Sequence, residues 1–441
     1  MTYPILSRRS MLKAGAVAGA GLAMPHVWVR RVAAQDKKLV FWNPGILPVS
    51  DPNDKTKGVD AFYISQAIQR FNEANGAEAA MEVIPGDQEQ FAKYRTASIA
   101  KNGPDVMIMW SGTYLLQMKD FLEPLGDYFS PEERARITGW EAVNPEFTKD
   151  AKDIYGVPAA SDGTTCVFYN KEIFQKAGVD PEAGWPKNAT EFYAALDKLK
   201  ATGVTPLTLD QTGFVWQSLA YWMSQQINGA QGVNELVVGK RNFTDPELVA
   251  AADGWMKLAA YTVPGAEAMD GGQAYQYLFQ GQAAATTAGS WIINDGVKAL
   301  GDNFGMVKIP DFVETAPIVH GGIGGPGTAF LVSNYSGRKD LAVAFIKFLM
   351  SKEEQLKKAE SGEGAILNVT DVDFKNYPSP LAATQQQWAN EPSTIFWNDN
   401  VYPADLTTEM LAQAQLAWTG QLTAEQFMQA VNDKRDALLK G

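Results

Sequence analysis

The 441 residues exceed what one hydrophobic core usually supports, so two domains or lobes are the starting expectation. With 46% hydrophobic and 20% charged residues, the composition is that of an ordinary globular protein and excludes a disordered or collagenous one. A formal charge of −12 argues against nucleic acid and anionic membrane surfaces as partners.

Residues 1–34 stand apart. The basic start "SRRSMLK" (Ser7 to Lys13) precedes the short apolar run "AGAVAGAGLAM" and then "VWVRRVAAQD". Basic, then apolar, then small residues is the order of an export signal, and the Arg8-Arg9 pair resembles the twin-arginine type. The run is too short and too rich in Ala and Gly for a membrane-spanning helix. Val32-Ala33-Ala34 suits cleavage near Ala34. No cysteine lies nearby to carry a lipid, so a freely diffusing periplasmic protein is expected. Losing this segment removes basic side chains and no acid, so the remainder is more acidic still and favours a neutral or cationic ligand.

Beyond it, "KLVFWN" (Lys38 to Asn43) reads as a buried strand. "DAFYISQAIQRFNEANG" places Phe62, Ile68 and Phe71 at helical spacing and stops at Gly76. The strand "AAMEVIPG", the helix "DQEQFAKYRTASIAKNG" and the apolar strand "PDVMIMW" follow. Strands alternating with helices predict a parallel sheet covered by helices, with ligands beyond the carboxyl ends of the strands. That rule points at Trp42-Asn43, Gly86-Asp87 and Trp110-Ser111-Gly112. A second α/β unit begins near "IYGVPAASDGTTCVFYN". It continues through a helix from Thr190, the strand "TPLTL", a helix with Asp245 as N-cap and Pro246 at its first position, the small-residue strand in "GQAAATTAGSWIIN", and "FGMVKIP". "KDLAVAFIKFLMSKEEQLKKAES" reads as one long amphipathic helix. "TAEQFMQAVNDKRDALLK" carries a capping box at Thr423 and Gln426.

The inventory of reactive groups is short. Cys166 is the sole cysteine, and His320 is the one histidine outside the export segment. Zinc sites of His and Cys need three or four such ligands, so no metal is expected. "GGIGGPG" (Gly321 to Gly327) matches G-x-G-x-x-G, but the strand-like "TAFLVS" follows where a dinucleotide site needs a helix. Cys166 lies in the strand "TCVFYN" and reads as a buried side chain rather than a nucleophile. His320 reads as structural.

Five segments in order, "GPDVMIMW", "IYGVP…FYNKEIFQKAG", "FQGQAAATTAGSW", "GGIGGPGTAFLVS…KDLAVAFIKFLMS" and "TGQLTAEQF", resemble the extracellular solute-binding proteins of ABC importers. The likeness is to the carbohydrate-binding, maltose-binding-protein-like group and spans essentially the whole chain after residue 34. It implies an α/β periplasmic binding protein-like fold: two lobes, each with a mainly parallel sheet flanked by helices, hinged about a ligand cleft. Lobe one is expected at 36–150 plus 315–360 and lobe two at 151–314 plus 361–441. In the pattern of the family, Trp42, Asn43, Asp87, Gln88, Trp110 and Ser111 face the ligand from lobe one. Asp162, Gly163, Thr164, Ser290 and Trp291 face it from lobe two, with Trp216 and the late segment Trp397 and Asp399 as further candidates. Gly324 and Gly325 either offer amides to a hydroxyl or only shape a tight loop. Sugars need aromatic faces for their rings and polar groups for their hydroxyls, which suits this set. Trp42, Trp216 and Trp397 fit a cleft wall or the core equally, whereas Trp255 belongs to the core.

The resemblance implies a monomeric periplasmic sugar-binding subunit, not an enzyme, that uses no cofactor and delivers its ligand to an inner-membrane permease with a cytosolic ATPase. A polyamine or other small-solute receptor is the alternative within the class. A secreted glycoside hydrolase is the alternative outside it, and no carboxylate pair stands out to support one.

Overall fold

The protein is described here from a computed structural model covering residues 37–50, 55–84, 89–144, 154–363, 366–373 and 377–440. The expected export segment, Asp87 and Gln88 lie outside the described residues. Strands among them are β1 (Lys38–Asn43), β2 (Glu78–Val83), β3 (Val106–Trp110), β4 (Val157–Ala160), β5 (Cys166–Asn170) and β6 (Thr205–Thr208). They continue with β7 (Ala283–Ala288), β8 (Phe304–Lys308), β9 (Gly322–Gly324), β10 (Thr328–Val332) and β11 (Thr394–Phe396).

These strands form two main sheets. The first has the order β2-β1-β3-β10-β4, and the second β6-β7-β5-β8. Helices Tyr63–Asn75 and Glu89–Ile99 join β1, β2 and β3, which pair in parallel. Parallel neighbours need such crossovers, and the helices bury their apolar stripes against the sheet. Both sheets are mixed. β10 returns antiparallel to β3 and β4, while β5 runs antiparallel to β7 and β8. The cause is that the chain leaves the first sheet after β4 and re-enters it only at β10. β4 thus pairs within the first sheet although it follows residue 150 in sequence.

Each sheet has its own aromatic core. In the first, Phe345 packs edge-on against Phe41 and Phe71, with ring centroids 5.5 and 5.1 Å apart. In the second, Trp418 lies 4.8 Å from Trp255 and 5.5 Å from Phe214. Trp255 is fully buried, as its helical position implies, and its indole N–H is satisfied by the Phe214 carbonyl at 2.6 Å. The capping box at Thr423 and Gln426 is formed and Pro246 opens its helix, though the Asp245 side chain caps no amide. The helix expected from Thr190 begins at Ala189, and its cap is Asn188, which accepts from the Glu191 amide.

One expectation fails locally. The long helix after β10 is two helices, Lys339–Leu349 and Lys352–Ser361. Ser351 interrupts it, because its hydroxyl accepts from the Glu354 amide and starts a new helix instead of continuing the old one. The second helix carries Lys358 toward the space between the sheets. Among the described residues no helix is long and apolar enough to cross a membrane.

Two extended segments cross between the sheets side by side. One runs from β4 through 161–165 into β5, and the other from β9 through 325–327 into β10. The Thr165 amide donates to the Ile323 carbonyl at 2.7 Å, and the Asp162 amide to that of Gly325 at 2.9 Å. In return the Gly325 amide donates to the Gly163 carbonyl at 2.8 Å. The approach leaves no room for side chains. A Cβ on Gly324 would lie 1.9 Å from the Gly163 carbonyl oxygen, and one on Gly327 would lie 1.6 Å from the Asp162 carboxylate. Gly163 itself holds φ +73°.

Gly324→Ala is therefore expected to lower the unfolding free energy by about 1–3 kcal/mol, read from urea unfolding. Parent-like stability would show that the crossing segments are not held at this spacing.

Candidate functional site

The crossing pair forms the base of a cavity of about 290 Å³ that opens between the two sheets. The first-sheet side contributes the segment after β1, Gly45 to Ser50, together with Lys57, Phe62, Ala160 and Thr328. The second-sheet side contributes Trp291, Asn294, Asp295 and Lys298. Asp162 enters from the crossing itself, Lys358 from the helix that Ser351 starts, and Glu363 from just beyond that helix. A smaller cavity of about 30 Å³ adjoins it, sharing Asn294 and Lys358 and adding Ser290.

Trp291 is the aromatic wall. It follows β7 and a glycine, and Gly289 lies directly under its ring, where a Cβ would come within 2.2 Å. Its indole N–H donates to the Tyr275 hydroxyl at 3.0 Å, and that hydroxyl donates to Asp210 at 2.7 Å. Asp210 is held by the amides of Thr212 and Gly213. The ring is thus fixed in one orientation by a hydrogen-bonded chain reaching back into the second core. Trp397 lies behind it, ring centroids 6.4 Å apart, with its indole nitrogen buried and unpartnered.

A second aromatic group is built on β3. Trp110, half-buried, packs 5.7 Å from Phe91 and 5.0 Å from Tyr114. The Tyr114 hydroxyl donates to Asp399 at 3.3 Å, and burial pushes the Asp399 carboxyl up to about 6. Around it the segment after β11 ties to the first sheet. The Thr113 amide donates to the Asn400 carbonyl at 2.8 Å, and the Asn400 side chain donates to the Ser111 hydroxyl at 2.8 Å.

The remaining sequence candidates have mainly structural contacts. Trp42 is buried, and its N–H donates to Glu82 at 2.8 Å. Asn43 is fully buried and closes the turn after β1, accepting from the amides of Gly45 and Leu47. Trp216 is buried in a π-helical turn, Phe214–Leu219, against the Tyr402 ring. Thr164 is buried and its amide donates to Gln385. Gly163 and Gly325 bond each other across the crossing, and Gly324 lies at the end of β9 beneath them. Of the candidates, Asp162 and Trp291 line the main cavity and Ser290 the smaller one.

Cys166 is fully buried. Burial pushes its thiol well above the ordinary range, and its sulfur accepts from the Gln385 side chain at 3.1 Å. That is an inert strand residue. His320 sits at a turn with φ +54°, its exposed ring 3.4 Å from Asp311, whose carboxylate also accepts from the His320 amide.

Sequence reading missed the lysines. Lys57 is paired with Glu363 at 2.7 Å, and the other Glu363 oxygen accepts from the Tyr63 amide. Lys358 is 5% exposed, and no hydrogen bond or ion pair to its ammonium is found among the described residues. Burial lowers its pKa to about 8, with Asp162 acting in the opposite direction. The strand-end rule stopped slightly short, because the wall after β1 is made by Gly45 to Ser50 and not by Trp42 and Asn43.

Two α/β units joined by paired crossings, with a walled cleft over them, define a hinged solute receptor. Residues 55–356 match the bacterial extracellular solute-binding proteins, and the chain belongs to that family. That family is one of solute-binding receptors. It is 29% identical over 161 residues to an uncharacterised ABC transporter extracellular-binding protein of Pyrococcus horikoshii, an alignment covering 35% of this chain and 36% of that one. The chain thus spans about a third of that relative's length. It is 28% identical over 322 residues to the sn-glycerol-3-phosphate-binding periplasmic protein UgpB of Rhizobium meliloti, covering 68% and 70%. The fold matches a chitin oligosaccharide binding protein at a TM-score of 0.73 and 22% identity, over 86% of this chain and 94% of that one.

Lys358 gives the site a pH signature. Its proton is held less tightly in the fold than in the unfolded chain, so between about 8 and the ordinary 10.5 the unfolded chain binds more protons. Stability gained by neutralising it therefore appears as pH rises through that window. Lys358→Met is expected to unfold with a free energy about 2 kcal/mol above the parent at pH 7, the gap narrowing from pH 8 to 10. A gap independent of pH would show that the ammonium is not desolvated.

Proposed function

We propose that this protein captures a carbohydrate or closely related polyhydroxylated solute in the cleft and presents it to an inner-membrane permease driven by a cytosolic ATPase. The observation that carries this reading is that Trp291, held through its indole N–H by the Tyr275 hydroxyl, shares one cavity with Asp162. An aromatic face beside a hydrogen-bond acceptor matches a sugar ring and its hydroxyls. The chitin oligosaccharide binding protein and the glycerol-phosphate relative, each named for a hydroxylated ligand, support it.

Ligand touching both walls stabilises the closed arrangement through contacts that exist only there, and the crossings at 161–165 and 325–327 act as hinge strands. Lobe boundaries follow those crossings. The protein works as a periplasmic monomer after twin-arginine export and cleavage near Ala34, and no bond is made or broken. Cleft residues Trp110, Ser290, Trp397 and Asp399 complete the binding surface as the lobes move.

A thermal-shift screen of neutral and acidic sugars, polyols and polyamines is expected to show stabilisation by hydroxylated ligands. Trp291→Ala is expected to weaken the best of them about tenfold or more with the fold retained by circular dichroism. Stabilisation by polyamines alone would overturn the reading, as would release of sugar from an oligosaccharide by the purified protein.

A further inference from the structure

The acidic chain suggests a neutral or cationic ligand, yet the cleft contains a buried cation with its donors unused. Lys57 is matched to Glu363, and Asp295 and Lys298 each have partners of their own. Lys358 lines both the main cavity and its smaller neighbour and is 5% exposed, and no hydrogen bond or ion pair to its ammonium is found among the described residues. Asp162 supports its charge only through space. A lysine so buried is ordinarily paired, because removing one partner of a buried charge leaves its desolvation uncompensated.

Two hydroxyls share the same space in the same condition. Thr328 lines the main cavity and Ser290 the smaller one, and the hydroxyl oxygens of both are buried with no hydrogen-bond partner among the described residues. Buried polar side chains are nearly always satisfied, so two unpartnered hydroxyls and an ammonium without a hydrogen bond, lining adjoining cavities that share Asn294 and Lys358, call for an acceptor-rich guest. Their chemistry is uniform: an ammonium with three N–H groups and two hydroxyls that can donate. An ether or hydroxyl group would occupy one of them. An anionic group with two or three oxygens would satisfy all three and offset the buried charge as well.

We propose that Lys358, Ser290 and Thr328 form an anion subsite at the inner end of the cleft, holding the phosphate or carboxylate of a hydroxylated solute whose body lies against Trp291. This rests on the reading of the cleft as a polyol and sugar site, and narrows it to acidic members of that class. Asp162, placed beside the ammonium, accepts from a neighbouring hydroxyl of the same ligand and excludes anions that lack one.

Calorimetric titration of the full chain with matched pairs tests the subsite: glycerol 3-phosphate against glycerol, glucose 6-phosphate against glucose, and glucuronate against glucose. One acidic member is expected to bind about 10- to 100-fold more tightly than its neutral partner, and which pair does so identifies phosphate or carboxylate. Lys358→Met is expected to abolish that preference, and Thr328→Val to reduce it by about fivefold. Should Lys358→Met fail to fold, the Thr328→Val result decides. Neutral members binding as tightly as acidic ones would overturn the subsite and leave the sugar reading standing. Binding of none of the set, with polyamines bound instead, would overturn both.

Discussion

The close pairing of residues 161–165 with residues 323–327 is the constraint on which the rest of the molecule depends. Backbone bonds from Thr165, Asp162 and Gly325 make the two crossings a narrow antiparallel ribbon with no side chains between its strands at Gly324 and Gly327. A two-stranded ribbon bends more easily than a sheet but does not slide, because sliding would break every bond at once. Closure is thereby limited to rotation about it. The same ribbon holds the Asp162 carboxylate against Gly327, so the base of the cleft and the hinge are one element. Movement and recognition are coupled because they share these residues.

Around that base the walls differ in kind. Trp291 is braced through Tyr275 to Asp210 and is ready to receive a ring without reorganising. The Ser290 and Thr328 hydroxyls are instead buried without hydrogen-bond partners among the described residues, and burial disfavours the charge on Lys358, so the fold carries a desolvation cost there. A rigid face lowers the entropy lost on binding, while unsatisfied donors raise the enthalpy gained. Such a division lets a receptor of an acidic chain select a small polar solute without large buried area. On the proposed reading, net charge is a poor guide to ligand charge, since a desolvated ammonium acts at short range while surface carboxylates are solvated and screened.

Much of the fold was legible in the sequence because its signals are local. The helical spacing of Ile68 and Phe71, the Thr423–Gln426 box and the strand after "GGIGGPG" each express a rule spanning a few residues, although Phe62, read with the first stripe, is the N-cap before that helix. The single helix read across Ser351 failed because an apolar stripe continues through it while its hydroxyl caps the next turn. Of the candidate residues that line the cavities, Asp162, Ser290 and Trp291 were legible because they lie just past strand ends and beside glycines. Lys358 was not. It lies inside a Lys- and Glu-rich helix whose pattern reads as a solvated face, and only the tertiary arrangement turns that position inward. Trp42 and Trp216 carry the same sequence signal as Trp291 but find their partners, Glu82 and the Tyr402 ring, within the packed structure.

The central claim is that ligand joins the two sheet units by bending the ribbon between them. Small-angle scattering on the protein, free and saturated with the tightest ligand from calorimetry, measures this directly. The account predicts a smaller radius of gyration on saturation, with the amides of Asp162, Thr165 and Gly325 protected from hydrogen exchange in both states. An unchanged radius at proven saturation would contradict hinge closure, and loss of protection at those amides would contradict the ribbon as the hinge.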